Sequence, residues 1–169
     1  MKKLGIAGSL VAVLAVVAAL AASSAMSRGG SRLDFDAHLR GFEEVPAIST
    51  TARGSLDVDL VNGVLRYRLR YSHLEANALS AHIHFAQRRV NGDVIAFLCG
   101  GGDKPACPAR EGTVRGTIDA ADIIGPEAQG IEPGAFKEVV RAMRARRTYA
   151  NVHTTKFPEG EIRGQIYRD

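Results

Sequence analysis

The sequence predicts an all-β fold: an antiparallel β-sandwich of about eight strands with one amphipathic helix near residues 134–146. Two observations predict it. Apolar and polar residues alternate with a period of two through most of the chain after residue 32, as in strands that have one buried face. At two points an Asn-Gly pair, the strongest short hairpin signal, separates consecutive runs. Short strands at this spacing are typical of a sandwich or barrel.

The first three strands are predicted at residues 33–40, 55–60 and 65–72, where apolar side chains occupy every second position. Asn62-Gly63 joins the second run to the third. Because both central residues of a type I′ turn need a positive φ, this pair predicts a tight hairpin.

The next two strands are predicted at 81–90 and 93–98, with Asn91-Gly92 as their hairpin turn. The remaining strands are expected at 112–118, 148–154 and 161–167, with a turn at 157–160 before the last. A short helical turn is expected near 120–124.

One helix interrupts the strand pattern. Pro133 suits its first turn, and apolar residues recur at i, i+3, i+4 and i+7, namely Phe136, Val139, Val140 and Met143. Its C-terminal end is basic, with Arg141, Arg144, Arg146 and Arg147. These arginines indicate either a solvated helix end that complements the helix dipole or a site for a polyanion.

The N-terminus has the layout of a secretory signal. Lys2 and Lys3 precede an uncharged apolar stretch at 4–22, and small residues follow it. We therefore expect a signal peptide at 1–25, a short linker at 26–32 and a domain at 33–167. An uncleaved membrane anchor is the alternative, since 19 apolar residues nearly span a bilayer. The predicted location is extracytoplasmic, either secreted or periplasmic.

The charge of the chain does not indicate a nucleic-acid partner. The formal net charge is +4, and removing the signal peptide deletes two lysines and leaves +2.

The two cysteines are predicted to pair. Cys99 and Cys107 enclose a Gly-rich turn, and at this spacing in an oxidising compartment a disulfide is the usual outcome. The glycines do not form a phosphate-binding loop, because the Gly-Lys-Ser/Thr pattern and a following helix are missing.

Three histidines form a candidate copper or zinc site. On a strand, His82 and His84 project from the same face, and His153 can add a third imidazole from a neighbouring strand. The alternative is a polar strand face whose histidines hydrogen-bond to the backbone or to Asn151 and Thr154. His38 and His73 are expected at the surface.

An enzymatic activity has little support in the sequence. No Gly-x-Ser-x-Gly motif occurs, and the adjacent Glu43 and Glu44 would face opposite sides of a strand, which does not suit a paired-acid mechanism.

The chain resembles the CHRD domain, which is named after chordin. The resemblance is carried by residues 41–46 (GFEEVP), 81–84 (AHIH), 97–99 with Cys107-Pro108, 149–154 (YANVHT) and 158–166 (PEGEIRGQI). One departure is Ala47, where family members often carry a proline. The resemblance implies an extracytoplasmic β-sandwich module, immunoglobulin-like or superoxide-dismutase-like, and implies no catalytic activity. The His-x-His strand is also similar to the copper-ligand strand of Cu/Zn superoxide dismutases, but the further zinc ligands have no clear counterparts here.

Two functional hypotheses follow. The first is a non-enzymatic binding or structural module whose partner is an extracytoplasmic protein or envelope component. The second is a copper- or zinc-binding protein that uses His82, His84 and His153.

Overall fold

The computed structural model describes Met1 and residues 33–169. Apart from Met1, the predicted signal peptide and the linker lie outside the described residues. Within the described part of the chain, no helix is long and apolar enough to cross a membrane.

The described chain is mostly strand. In chain order the strands are β1 (Leu33–Arg40), β2 (Arg53–Val61), β3 (Val64–Ser72), β4 (Ala78–Phe85), β5 (Val94–Cys99), β6 (Gly112–Ile118), β7 (Thr148–Thr154), β8 (Ile162–Gln165) and β9 (Tyr167–Arg168). One α-helix, α1 (Phe136–Arg144), precedes β7. Single 3₁₀ turns lie at Gly41–Glu43, Ala120–Asp122 and Glu127–Gln129, the second of them where a helical turn is predicted.

All the strands belong to one continuous antiparallel sheet in the order β5-β4-β7-β8-β1-β2-β3-β6, with β9 paired to β1. The two ends of this sheet approach each other, since the hydroxyl of Tyr67 on β3 donates to the carbonyl of Leu98 on β5 at 2.7 Å. The inward side chains of the sheet form one hydrophobic core. The all-β prediction is therefore confirmed, with a sheet that curls round a single core.

The hydrophobic core is formed by the apolar side chains that the two-residue period of the sequence predicts to be buried. Phe35, Val58 and Tyr67 are cross-strand partners on β1, β2 and β3, and all three are buried. The predicted turn between β2 and β3 is confirmed, because Asn62 has φ 52° and Gly63 has φ 79°.

The predicted hairpin turn at Asn91-Gly92 is wrong. β4 ends at Phe85, and residues 86–93 form a longer connection to β5. Its carbonyl groups serve other elements: Ala86 accepts from Gln165, and Val90 accepts from Arg163. If the strand continued regularly to residue 90, these carbonyl groups would instead form hydrogen bonds with the neighbouring strand.

Two other boundaries differ from the prediction. The helix begins at Phe136, so Pro133 lies in the preceding turn. The last strand is divided at Ile166, whose amide donates to the carbonyl of Thr148.

At the basic helix end, Arg141 pairs with Glu138, and the Arg146 guanidinium lies 5.5 Å from the centre of the Tyr167 ring.

The predicted disulfide is present. Cys99, at the end of β5, is bonded to Cys107, with their Cα atoms 5.1 Å apart.

Candidate metal centre

Strand pairing brings the three predicted histidines together. β4 and β7 pair antiparallel, with Ser80 opposite His153 and His82 opposite Asn151. Side chains alternate along both strands, so Ile83 and Val152 enter the core while the histidines share the opposite face.

The imidazole nitrogens converge. The Nδ1 atom of His82 lies 3.0 Å from the Nε2 atom of His153. With His84 included, one ligand atom from each ring lies within 4.8 Å of the others. Imidazoles about 2.0–2.1 Å from one zinc ion stand roughly 3.4 Å apart, so the widest pair must close by roughly 1.4 Å.

Two backbone carbonyls fix the orientation of two rings. The Nδ1 atom of His84 lies 2.9 Å from the carbonyl oxygen of Gly92, and that of His153 lies 2.8 Å from the carbonyl oxygen of Pro158. A carbonyl oxygen only accepts, so each Nδ1 carries the hydrogen and each Nε2 keeps its lone pair. This is the arrangement by which proteins orient metal-binding histidines.

Burial keeps the cluster uncharged. It lowers the pKa of His82 to about 3 and the pKa of His84 to about 4, with smaller contributions from neighbouring groups. The pKa of His153 is also lowered, again chiefly by burial. All three imidazoles are therefore neutral near pH 7, which is the form that binds metal.

Aromatic packing holds the rings in place. Tyr149 stacks on His84 with ring centres 4.7 Å apart, and Phe97 meets His82 edge-on at 4.6 Å. The guanidinium of Arg163 lies 3.4 Å from the centre of the Tyr149 ring. Arg163 also donates to Asn91 and Val90, so the 86–93 connection is tied to the site.

Two buried polar atoms at the site lack a hydrogen-bond partner. They are the Nε2 atom of His84 and the Oδ1 atom of Asn151. Buried polar groups in native proteins are nearly always paired. An unpaired imidazole lone pair beside two other imidazoles is suited to binding a metal ion.

Three polar residues around the site have roles that the sequence did not assign. Glu44 is buried, and burial raises its pKa to about 8. Glu161 is fully buried and accepts hydrogen bonds from Thr50 and Thr154. Arg163 follows on the same strand face. The alternation of Glu161, Arg163 and Gln165 with apolar residues or glycine could have indicated a polar face here.

The other predicted positions lie apart from the cluster. His38 is exposed on β1, and His73 is exposed just after β3. Glu43 forms an ion pair with Arg88, whereas its neighbour Glu44 is buried.

The match to known families covers most of this sheet. The family model of the CHRD domain matches residues 35–166, which include all three histidines and both cysteines. The chain belongs to the CHRD domain family. This CHRD domain matches no curated protein and no solved structure. Its disulfide is a cross-link that suits an oxidising compartment.

Proposed function

We propose that this CHRD domain is a non-enzymatic extracytoplasmic module that binds one copper or zinc ion through His82, His84 and His153. The observation that carries the proposal is the convergence of three imidazoles, two buried and one half-buried, of which His84 has an unpaired Nε2. The hydrogen bonds from His84 and His153 to carbonyl groups support it, because they leave both Nε2 atoms available.

The donor set favours copper or zinc over other metals. Imidazole suits Zn, Cu, Fe and Ni, whereas Mg²⁺ and Ca²⁺ prefer oxygen ligands. Among the described residues, no thiolate or carboxylate joins the group of three histidines. Because the three rings are neutral near pH 7, they bind the ion with no net release of protons.

The extracytoplasmic location is supported by two independent features. The disulfide between Cys99 and Cys107 persists where thiols are oxidised. The basic and then apolar N-terminus has the pattern of a secretory signal.

Isothermal titration of the purified protein with Zn(II) and Cu(II) tests metal binding. The expected result is one site, with His84→Ala weakening affinity at least about 100-fold, because loss of outer-shell partners alone costs 10–100-fold. His38→Ala, an exposed histidine on the same sheet, is the matched control and should bind as the parent does. Equal affinity in the His84 variant would contradict the proposal.

A second observation bears on the partner of the module. Arg40 and Arg53 are direct cross-strand partners on β1 and β2, and neither forms an ion pair among the described residues. Like charges placed directly opposite are destabilising unless an anion lies between them. They line an open groove of about 690 Å³ together with Ser55 and Ser72, and Glu111 is its one acidic lining residue.

We propose that this groove binds an acidic polysaccharide of the cell envelope. The groove is open rather than enclosed, which suits a polymer, and the serine hydroxyl groups that line it with the two arginines can hydrogen-bond to sugar oxygens. Polygalacturonate retention at low salt should fall in the double variant Arg40→Gln and Arg53→Gln. The matched control is Arg144→Gln with Arg147→Gln at the exposed helix end. Equal loss in both double variants would indicate nonspecific charge attraction and contradict the proposal.

A further inference from the structure

We infer that the metal centre carries a fourth ligand, a water molecule held by the amide oxygen of Asn151. This inference rests on the proposed metal-binding function and deepens it. It distinguishes an open centre, which can accept small molecules, from a closed centre that only cross-links strands.

The ligand count leaves one position open. Zinc is almost always four-coordinate in proteins, and the described residues supply three convergent nitrogens. A centre with three protein ligands and one water is the form that catalytic zinc sites take, whereas structural sites use four protein ligands.

Asn151 lies where a fourth ligand would need a partner. It is the cross-strand partner of His82 and stands two residues before His153 on the same face of β7. Its side chain is 3% exposed, and its Oδ1 atom has no hydrogen-bond partner.

Asn151 also lies beside the third histidine. In the β4–β7 register His82 is opposite Asn151 and His84 is opposite Tyr149, so Asn151 is the diagonal neighbour of His84 on the same face. Neither the Nε2 atom of His84 nor the Oδ1 atom of Asn151 has a hydrogen-bond partner. The two unpaired atoms therefore belong to neighbouring side chains on one face of the β4–β7 pair.

The chemistry of the amide selects the ligand. An amide oxygen only accepts hydrogen bonds, so the group it holds must donate one. A metal-bound water donates a strong hydrogen bond, because the ion polarises it. A halide or azide ion has no hydrogen to offer.

The other end of the amide borders Gly160. A Cβ atom built on Gly160 would lie 3.0 Å from the Nδ2 atom of Asn151 and 2.6 Å from the Oε1 atom of Glu44. The amide nitrogen and this buried, unpaired carboxyl oxygen therefore border the same glycine.

Pulsed electron paramagnetic resonance of the Cu(II)-loaded protein in deuterated water tests the inference. Strongly coupled deuterons, as from a directly bound water, are expected. Absence of that coupling in a protein that binds one Cu(II) would overturn the inference and leave the proposed function standing. Absence of Cu(II) binding in the titration would instead overturn the proposed function.

Azide binding then tests the role of Asn151 as a positioning residue. Asn151→Leu removes the acceptor that holds the water, so azide should displace the water more easily and bind about tenfold more tightly, as expected for losing one hydrogen bond. The charge-transfer band of the copper–azide complex gives the affinity, and thermal melting checks that the variant is folded. Asn77→Ala, at an exposed asparagine, is the control. Unchanged or weaker azide binding in a folded Asn151 variant would overturn this role.

Discussion

The Nδ1 atom of His82 lies 3.0 Å from the Nε2 atom of His153, across the pairing of β4 and β7. His153 donates its own Nδ1 hydrogen to the carbonyl of Pro158, so its Nε2 must accept, and the hydrogen between the two rings belongs to His82. A metal ion bound between the two rings would require this hydrogen to move from Nδ1 to Nε2 of His82, which gives the other neutral tautomer of the ring. The strand register thus brings two ligands together before any ion binds, which lowers the cost of ordering them.

The Gly92 carbonyl should matter for metal affinity although Gly92 does not touch the ion. A Cβ atom at Gly92 would lie 1.9 Å from the carbonyl oxygen of Phe85, so Gly92→Ala must shift the segment that orients His84. We expect zinc affinity to fall about 10–100-fold, the usual effect of losing an outer-shell partner. Gly63→Ala is the control for general destabilisation, because its Cβ meets open space but its positive φ strains the turn between β2 and β3. Equal zinc affinities in the two variants, measured by calorimetry, would refute this role.

Buried neutral histidines should make the metal-free protein less stable in acid. Burial lowers the pKa of His84 to about 4, whereas the unfolded chain protonates this group near 6.5. Between these values the unfolded state binds more protons, so stability falls as pH falls. As pH falls from 6.5 to 4, the parent should therefore lose stability relative to His84→Gln. The difference between their free energies of unfolding should decrease by about 1.4 kcal/mol per pH unit. A difference independent of pH in urea denaturation would contradict this expectation.

Glu44 should have the opposite pH dependence. Burial raises its pKa to about 8, so the folded protein keeps the proton that the unfolded chain releases near 4.5. Its stabilising contribution is complete below pH 4.5 and is lost as pH rises through 8. Glu44→Gln should thus gain stability relative to the parent by about 1.4 kcal/mol per pH unit between pH 5 and 8. Urea denaturation at several pH values measures the gain, and Glu43→Gln, at the half-buried neighbour that pairs with Arg88, is the control.

Removing the disulfide should destabilise the domain without weakening metal binding. Cys99 and Cys107 are separated by 8 positions, and closing so short a loop is worth about 2–3 kcal/mol in the chain-entropy model. The double variant Cys99→Ala with Cys107→Ala should lose that much in chemical denaturation and keep its zinc affinity at low temperature. A loss of zinc affinity in the folded variant would indicate that the β5 end positions His82.

Strand alternation explains why much of the site could be predicted. The two-residue period fixes the face of each side chain wherever the strand packs, so His82 and His84 had to share a face, as did Asn151 and His153. The pairing of β4 with β7 then determines which ligands meet.

Loop-dependent features could not be predicted in the same way. The carbonyl groups of Gly92 and Pro158 reach the histidines from connections whose paths depend on tertiary contacts. Asn91-Gly92 illustrates the difficulty, since Asn91 binds the carbonyl of Val45 and accepts from Arg163 instead of forming a tight turn. The burial of Glu44 likewise depends on where the segment after β1 folds, which local pattern does not encode.

X-ray absorption spectroscopy of the protein loaded with one equivalent of zinc identifies the atoms that bind the ion. We expect three imidazole nitrogens at about 2.0–2.1 Å and one further light atom, the bound water. His153→Ala should reduce the imidazole count to two. A first shell dominated by oxygen, or an imidazole signal unchanged in His153→Ala, would contradict the claim that His82, His84 and His153 hold the ion.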